Sequence, residues 1–76
     1  MTLDQLPKKT PARVIGFLDL QPDIVLRLRE IGFAENDNVE VRHFGLFGKN
    51  PVTVDLNGAL IALRRAEAAL VKVEAL

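Results

Sequence analysis

The dipeptide Asn57-Gly58 constrains the fold of this chain more than any other feature of its sequence. It lies between two runs of β-favouring residues, and Asn-Gly is the preferred pair for a two-residue type I′ hairpin turn. Such a turn fixes the register of the two strands. The apolar pairs it predicts are Leu56 with Ala59, Val54 with Ile61, and Val52 with Leu63. We therefore predict a hairpin over residues 51–63 that turns this apolar face to the core.

The N-terminal part predicts a short helical turn followed by a strand. Leu3 and Leu6 are three residues apart behind Thr2, so one helical turn can direct both leucines inward. Residues 12–18 are rich in β-branched and aromatic side chains, which predicts a first strand. Gly16 in its middle predicts a bulge or a close backbone approach.

Residues 22–31 predict an amphipathic helix. Pro22 suits a first helical turn, and Asp23 favours the positive end of a helix. Gly32 can take the positive φ that closes a helix, with Phe33 covering the end. The apolar stripe at helical spacing comprises Ile24, Val25, Leu28 and Ile31.

Residues 39–44 alternate with a period of two and predict a strand. The side chains expected on one face are those of Val39, Val41 and His43, and those expected on the other are Glu40, Arg42 and Phe44. A turn is predicted at residues 35–38, before this strand. Residues 45–51 follow the strand as a predicted loop.

The segment 63–73, LRRAEAALVKV, predicts a corner between two strands. Residues 65–69 are long enough for about one helical turn, and residues 70–73 resume a strand. The predicted fold is mainly β: a small antiparallel barrel of about five strands, closed or nearly so, with one inserted α-helix and a short helical turn before the last strand. A chain of 76 residues is long enough for one such domain, over residues 1–76.

The charge balance argues against nucleic acid as a partner. Lys plus Arg and Asp plus Glu number ten each, so the formal net charge is zero and no broad cationic field exists. The chain has no cysteine, which favours a reducing compartment. Its first residues lack an apolar signal core, and no apolar run approaches the roughly 20 residues of a membrane helix. We expect a soluble cytoplasmic protein that does not insert into a membrane.

Neither an active site nor a metal site is expected. The chain has no serine or cysteine nucleophile and no phosphate-binding glycine loop, so we expect neither an enzyme nor a cofactor. Imidazole suits first-row metals, but His43 is the only histidine. Carboxylates such as Glu40 or Asp55 would complete only a sparse site around it, so no metal ligand is predicted.

Three motifs, in order along the chain, resemble the FeoA family (ferrous iron transport protein A). Residues 27–33, RLREIGF, resemble the family's R-L-x-E-L-G-L helix end. Residues 57–63 resemble its hairpin, and residues 63–68, LRRAEA, resemble its L-R-R-x-E-A corner. The chain departs from the usual Pro-Gly at Glu35-Asn36, where Asn can take the left-handed conformation of the usual Gly, so the resemblance implies that this turn is kept. It also departs from the usual Gly-Asp-Pro at residues 48–51.

This resemblance implies an SH3-like barrel that acts as a cytosolic accessory protein of bacterial ferrous iron uptake. The implied partner is the membrane ferrous iron transporter, through its cytosolic GTPase region, and the implied effect is modulation of transport. An alternative is an SH3-like regulatory or metal-sensing domain, of the kind appended to iron-dependent repressors. RNA binding is a third reading, and the charge balance opposes it.

The predicted loop holds the candidate partner-binding residues. Leu46 and Phe47 are large apolar residues between glycines, so they either fold back onto the barrel or remain open to a partner. Arg27 and Arg29 on the helix would supply a polar rim. Weak self-association through Leu46 and Phe47 is the alternative to binding a different partner.

The arginine pair Arg64-Arg65 has two readings. Exposed arginines can bind phosphate. We favour a structural role at the corner, in which Arg64 packs its stem along the barrel and bonds carbonyls or a carboxylate there. Glu67 is close enough along the chain to pair with one of the two arginines.

Overall fold

A computed structural model describes residues 1–76. In chain order, the elements are a 3-10 turn Leu3–Gln5, β1 Ala12–Phe17, α1 Pro22–Ile31, β2 Asn38–Phe47, β3 Asn50–Leu56, β4 Ala59–Leu63, α2 Arg65–Ala68 and β5 Val71–Ala75. The strands form one antiparallel sheet in the order β4-β3-β2-β1-β5. The predicted mainly β, antiparallel fold with one inserted helix is confirmed.

The predicted β3–β4 hairpin is present with the predicted register. Asn57 and Gly58 both have positive φ, 51° and 94°, as a type I′ turn requires. The three apolar pairs occur as expected. Val52, Val54, Leu56 and Leu63 are buried, but Ile61 is only half-buried and Ala59 is exposed. The apolar face therefore enters the core mainly through β3.

The core contains residues from every strand and both helices. Leu3 and Leu6 are fully buried beneath the sheet, as the N-terminal spacing predicts, and Phe33 is the largest buried side chain. Full burial of one such side chain stabilises the fold by about 1.5–3 kcal/mol. The sixteen core residues are Leu3, Leu6, Ala12, Val14, Leu28, Phe33, Val39, Val41, Val52, Val54, Leu56, Leu63, Ala68, Leu70, Val71 and Val73.

Helix α1 begins and ends where the sequence predicts. Gly32 closes it with a φ of 130°, and Phe33 is buried. Leu28 is the buried residue of the stripe, and Ile24 and Val25 pack against the core from its edge. The expectation for Ile31 is wrong: its side chain is 47% exposed. The chain turns at Gly32, and Phe33 fills the interior at this end of the helix instead.

The predicted faces of β2 are correct only for its first half. Val39 and Val41 are buried, but His43 is exposed, and Phe44 packs against the core. The register between β2 and β3 shifts between Val41 and His43. Such a bulge adds one residue and reverses the alternation beyond it, so the predicted positions of His43 and Phe44 are exchanged.

The predicted loop 45–51 is in fact a second hairpin. Strand β2 continues to Phe47, and β3 begins at Asn50, which pairs with Phe47. The intervening Gly48 and Lys49 form a two-residue turn with φ of 62° and 63°. The side chains of this segment are therefore held on strands. Neither helix has the length and apolar character needed to cross a bilayer.

Candidate docking surface

The end of the β2–β3 hairpin, residues 46–49, is called the apolar tip below. Leu46 is 92% exposed and Phe47 is 85% exposed. Gly45 sets the close approach of the strands beneath them, because a Cβ at this position would lie 1.8 Å from the carbonyl oxygen of Asn50. Lys49 lies over the Phe44 ring, with Nζ 5.3 Å from its centroid. The two most exposed large apolar side chains of the chain thus lie on a hairpin whose strands approach each other closely.

Helix α2 holds the apolar tip from one side. The Arg65 backbone N–H donates to Asn50 Oδ1 at 2.7 Å, and the Arg65 guanidinium donates to the Gly48 carbonyl at 3.5 Å. The first turn of α2 is capped by Glu67, whose carboxylate accepts the Arg64 backbone N–H at 2.8 Å. The corner role expected of Arg64 therefore belongs to Arg65.

A groove runs between the apolar tip and α2. It has a volume of about 500 Å³. Its lining residues are Phe47, Asn50, Pro51, Arg64 and Ala66. The lining therefore includes one aromatic side chain, one proline and one cationic side chain, which suits an apolar side chain with an acidic neighbour.

Arg27 extends this surface across α2. Its guanidinium lies 3.5 Å from the carboxylate of Glu67. The expectation that Glu67 pairs with Arg64 or Arg65 is therefore wrong in its partner, since the ion pair forms with a residue of α1. The Arg27 side chain is 61% exposed, so the pair contributes less than about 1 kcal/mol to stability.

Arg29 lies on a different surface. Its two guanidinium nitrogens donate to the two carboxylate oxygens of Glu35 at 3.0 and 3.2 Å, and its Cζ lies 4.4 Å from the Phe17 ring centroid. The hydrogen bond from Arg29 lowers the pKa of Glu35, and the bond to Glu35 raises the pKa of Arg29. Residues two apart on a helix are separated by about 200°.

The structure thus brings together Leu46, Phe47 and, across α2, Arg27, but not Arg29. The groove residues Asn50, Pro51, Arg64 and Ala66 were missed as candidate partner-binding residues. The signal for them was available: pairing of Val52 with Leu63, fixed by the hairpin turn, places residues 64–66 beside residues 50–51.

The acidic residues near His43 are engaged elsewhere. Arg42 lies between Glu40 and Asp55, with nitrogen–oxygen distances of 3.2 and 2.9 Å. Asp55 also accepts the Gly58 backbone N–H. No group of three or more potential metal-ligating side chains lies together in the structure.

Comparison with known families and solved structures agrees with this architecture. The family model for the FeoA domain matches residues 1–75. The FeoA protein of Stenotrophomonas maltophilia, solved with zinc and described as a prokaryotic SH3 domain protein, is 38% identical with a TM-score of 0.84, covering 97% of this chain and 89% of that one. The FeoA protein of Chlorobium tepidum is 29% identical with a TM-score of 0.84, covering 100% of this chain and 70% of that one.

Repressor domains share the fold at greater distance. A manganese-dependent transcriptional repressor is 18% identical with a TM-score of 0.89, and this chain spans 41% of its length. At that identity the likeness concerns the fold alone. A search of curated proteins finds no match to this chain.

The predicted SH3-like fold and the predicted family are therefore confirmed. FeoA proteins are small SH3-like accessory domains, and this family and fold support a role in ferrous iron transport. With a family model matched from residue 1 to residue 75 and a relative of 38% identity, this chain belongs to the FeoA family.

Proposed function

We propose that this protein is a non-catalytic cytoplasmic accessory protein of bacterial ferrous iron uptake that docks on the cytosolic GTPase region of the ferrous iron transporter and modulates transport. The proposed contact comprises the apolar tip, the groove beside α2, and the side chains of Arg27 and Arg64. The coarse role follows from the family. The docking surface rests on the geometry described above.

The observation that carries this proposal is the exposure of Leu46 and Phe47, at 92% and 85%. Burying one such side chain is worth about 1.5–3 kcal/mol. Leu46 and Phe47 are exposed to water in the folded chain, so their burial by a partner would contribute this free energy to binding. Exposed aromatic and aliphatic side chains beside a groove are typical anchors of protein interfaces.

The cationic rim would orient the partner. Arg64 lines the groove and Arg27 lies across α2 from it. Rim charges contribute more to association rate and orientation than to affinity. An acidic segment of the GTPase domain near an apolar side chain would fit this arrangement.

The test is an anaerobic NMR titration of the isotope-labelled protein with the soluble GTPase domain of the transporter, with ferrous iron alone as a parallel control. Shifts clustered at residues 44–50 and 64–67, with none caused by iron, would support the proposal. If the GTPase domain causes no chemical-shift changes and ferrous iron causes localised line broadening, the proposal is contradicted and a metal-sensing domain is favoured.

A matched pair of variants tests the rim. Arg27→Gln is expected to slow association with the GTPase domain, and Arg29→Gln is expected to leave it unchanged, because only Arg27 lies beside α2. Both variants lose one positive charge from the same exposed helix, so the net charge is equal in the two. Equal slowing by both variants would contradict the assignment of Arg27 to the contact.

A further inference from the structure

Strand β4 forms an open edge of the sheet. It is the outermost strand on its side, and its sequence ALIAL contains neither a charged residue nor a proline. Leu60 on this strand is 68% exposed. Edge strands of stable monomers usually carry a charge, a proline or a covering segment, because an unprotected edge pairs with another strand.

The backbone hydrogen bonds define how much of this edge is free. Leu56 and Ala59 close a two-residue hairpin, so Ala59, Ile61 and Leu63 bond to β3. The N–H and C=O groups of Leu60 and Ala62 therefore point away from the sheet. No turn, loop or side-chain hydrogen bond involves residues 59–63.

Both ends of the free edge are closed by carboxylates. The Gly58 N–H donates to Asp55 Oδ1 at 2.7 Å, and the Arg64 N–H donates to Glu67 Oε1 at 2.8 Å. The open part is thus limited to Leu60 and Ala62, with two donors and two acceptors between them.

The opposite edge of the sheet differs, because the N-terminal segment pairs with the middle of β5. Thr2 forms an antiparallel bridge with Lys72 of β5. The Val73 N–H donates to the Met1 carbonyl at 2.9 Å. The middle of β5 is therefore already paired, whereas the outward backbone groups of Leu60 and Ala62 on β4 are not.

We propose that β4 pairs antiparallel with β4 of a second copy of this chain, with Ile61 beside Ile61 on the two-fold axis. In this register, Leu60 of each copy lies opposite Ala62 of the other and exchanges both backbone hydrogen bonds with it. All four free groups of each copy are then paired. We assign a second copy as the occupant because two antiparallel β4 strands match in both respects: the free donors of each face the free acceptors of the other, and each Leu60 meets an Ala62.

Two observations fix this register. Each large side chain meets a small one, since Leu60 faces Ala62 on the outer side and Leu63 faces Ala59 on the inner side. A shift that places Leu60 opposite Leu60, or Ala62 opposite Ala62, brings in the Gly58 or Arg64 N–H instead. Those two groups are already bonded to Asp55 and Glu67.

The pairing is expected to be weak. A strand of five residues buries less than the roughly 1,200 Å² of a standard interface, so the dissociation constant is expected on the order of 0.1–1 mM. The pairing does not involve the apolar tip, so the proposed docking and the proposed dimer can succeed or fail separately.

Sedimentation of the full chain up to about 1 mM, combined with isotope-filtered NMR of a mixed labelled and unlabelled sample, tests the proposal. The expected result is a reversible dimer with intermolecular contacts from Ile61 to Ile61 and from Leu60 to Ala62. A chain that remains monomeric throughout this range would overturn the proposal, as would intermolecular contacts confined to Leu46 and Phe47.

Variants at Ala62 separate pairing from folding. Ala62→Pro removes an outward N–H at a position where an edge strand tolerates proline, and it is expected to weaken the dimer by about tenfold or more. Ala62→Ser keeps the N–H and the small side chain, so it should dimerise like the wild type. If the proline variant does not fold, Leu60→Lys serves in its place, because it sets two like charges beside the axis.

Two outcomes would assign the edge differently. A folded Ala62→Pro or Leu60→Lys variant that still dimerises like the wild type would overturn the pairing of β4 with itself. Protection of the Leu60 and Ala62 amides from exchange only after addition of the transporter's GTPase domain would also overturn it, in favour of a strand supplied by that domain.

Discussion

The two hairpins of this sheet share strand β3 and differ in what their ends do. The β3–β4 turn, Asn57-Gly58, uses the residue pair best suited to its backbone, and Asp55 accepts the Gly58 N–H. The apolar tip uses Gly48-Lys49, with a lysine at φ 63° and two apolar side chains in water. The comparison teaches that the residues of the Asn57-Gly58 turn favour stability of the fold. The apolar tip instead presents exposed side chains that do not contribute to the core.

The largest effect is expected at Gly45, where the apolar tip depends on a close backbone approach. Gly45→Ala places a Cβ against the Asn50 backbone and should lower the free energy of unfolding by about 2–3 kcal/mol. Chemical denaturation measures this loss, and amide shifts at residues 44–50 should report a displaced tip. Leu46→Ala, at the adjacent exposed position, is the control and should leave stability unchanged. A stability loss in Gly45→Ala no larger than that of the control variant would show that the strands do not approach as described.

The second effect concerns docking. Phe47→Ala removes the exposed aromatic of the proposed contact and should weaken binding to the GTPase domain by about 2 kcal/mol, close to thirtyfold, because buried aromatics dominate interface energies. Stability should change by less than about 0.5 kcal/mol, since the ring is 85% exposed. Titration calorimetry measures the first quantity and thermal unfolding the second. Leu20→Ala, at a leucine that is 74% exposed elsewhere on the chain, should alter neither.

If Phe47→Ala unfolds the protein, the ring belongs to the core and the distinction between the two hairpins fails. If it binds like the wild type, the apolar tip is not the contact.

The third effect concerns the β3–β4 turn. Gly58 has a φ of 94° and open space at its Cβ, so Gly58→Ala meets no atom but strains the backbone. We expect a loss of about 1–2 kcal/mol in the free energy of unfolding. Asn57→Gly keeps a residue that accepts positive φ and loses only the exposed hydrogen bond from the Asn38 N–H to Asn57 Oδ1, so it should cost less. Equal losses in the two variants would contradict the argument from backbone conformation.

The smallest effect is a gain at the apolar tip. Lys49→Asn replaces a residue strained at φ 63° with one that tolerates this conformation and should raise stability by a few tenths of a kcal/mol. The gain is limited because the contact between Lys49 and the Phe44 ring is lost. Lys8→Asn makes the same change of charge at another exposed site and should give no gain. A loss of stability in Lys49→Asn would mean that the turn residue is favourable as it stands.

The parts of the fold that were predicted correctly depend on local signals. Asn57-Gly58 specifies a turn and a register by itself, and Pro22 and Gly32 mark the two ends of α1 within ten residues of each other. The left-handed conformation at Asn36, which the resemblance implies because Asn stands where the family has Gly, is also present, with a φ of 74°. Each of these features is decided by the backbone preferences of one or two residues.

The errors arise where distant segments decide. The bulge after Val41 has no local signature, and it exchanges the faces of His43 and Phe44. The extension of β2 to Phe47 depends on pairing with β3 and on support from Arg65, fifteen residues beyond Asn50. The separation of Arg27 from Arg29 could have been predicted, because helix geometry alone places them on opposite sides.

The cover that Met1 and Thr2 provide over β5 limits how many neighbours the sheet can acquire. A sheet with two bare edges has a valence of two, so it can add copies at both ends and grow into a filament. Because Met1 and Thr2 already pair with the middle of β5, a further copy could bind there only by displacing the N-terminal segment. Pairing of β4 with β4 therefore favours a closed dimer over a growing filament.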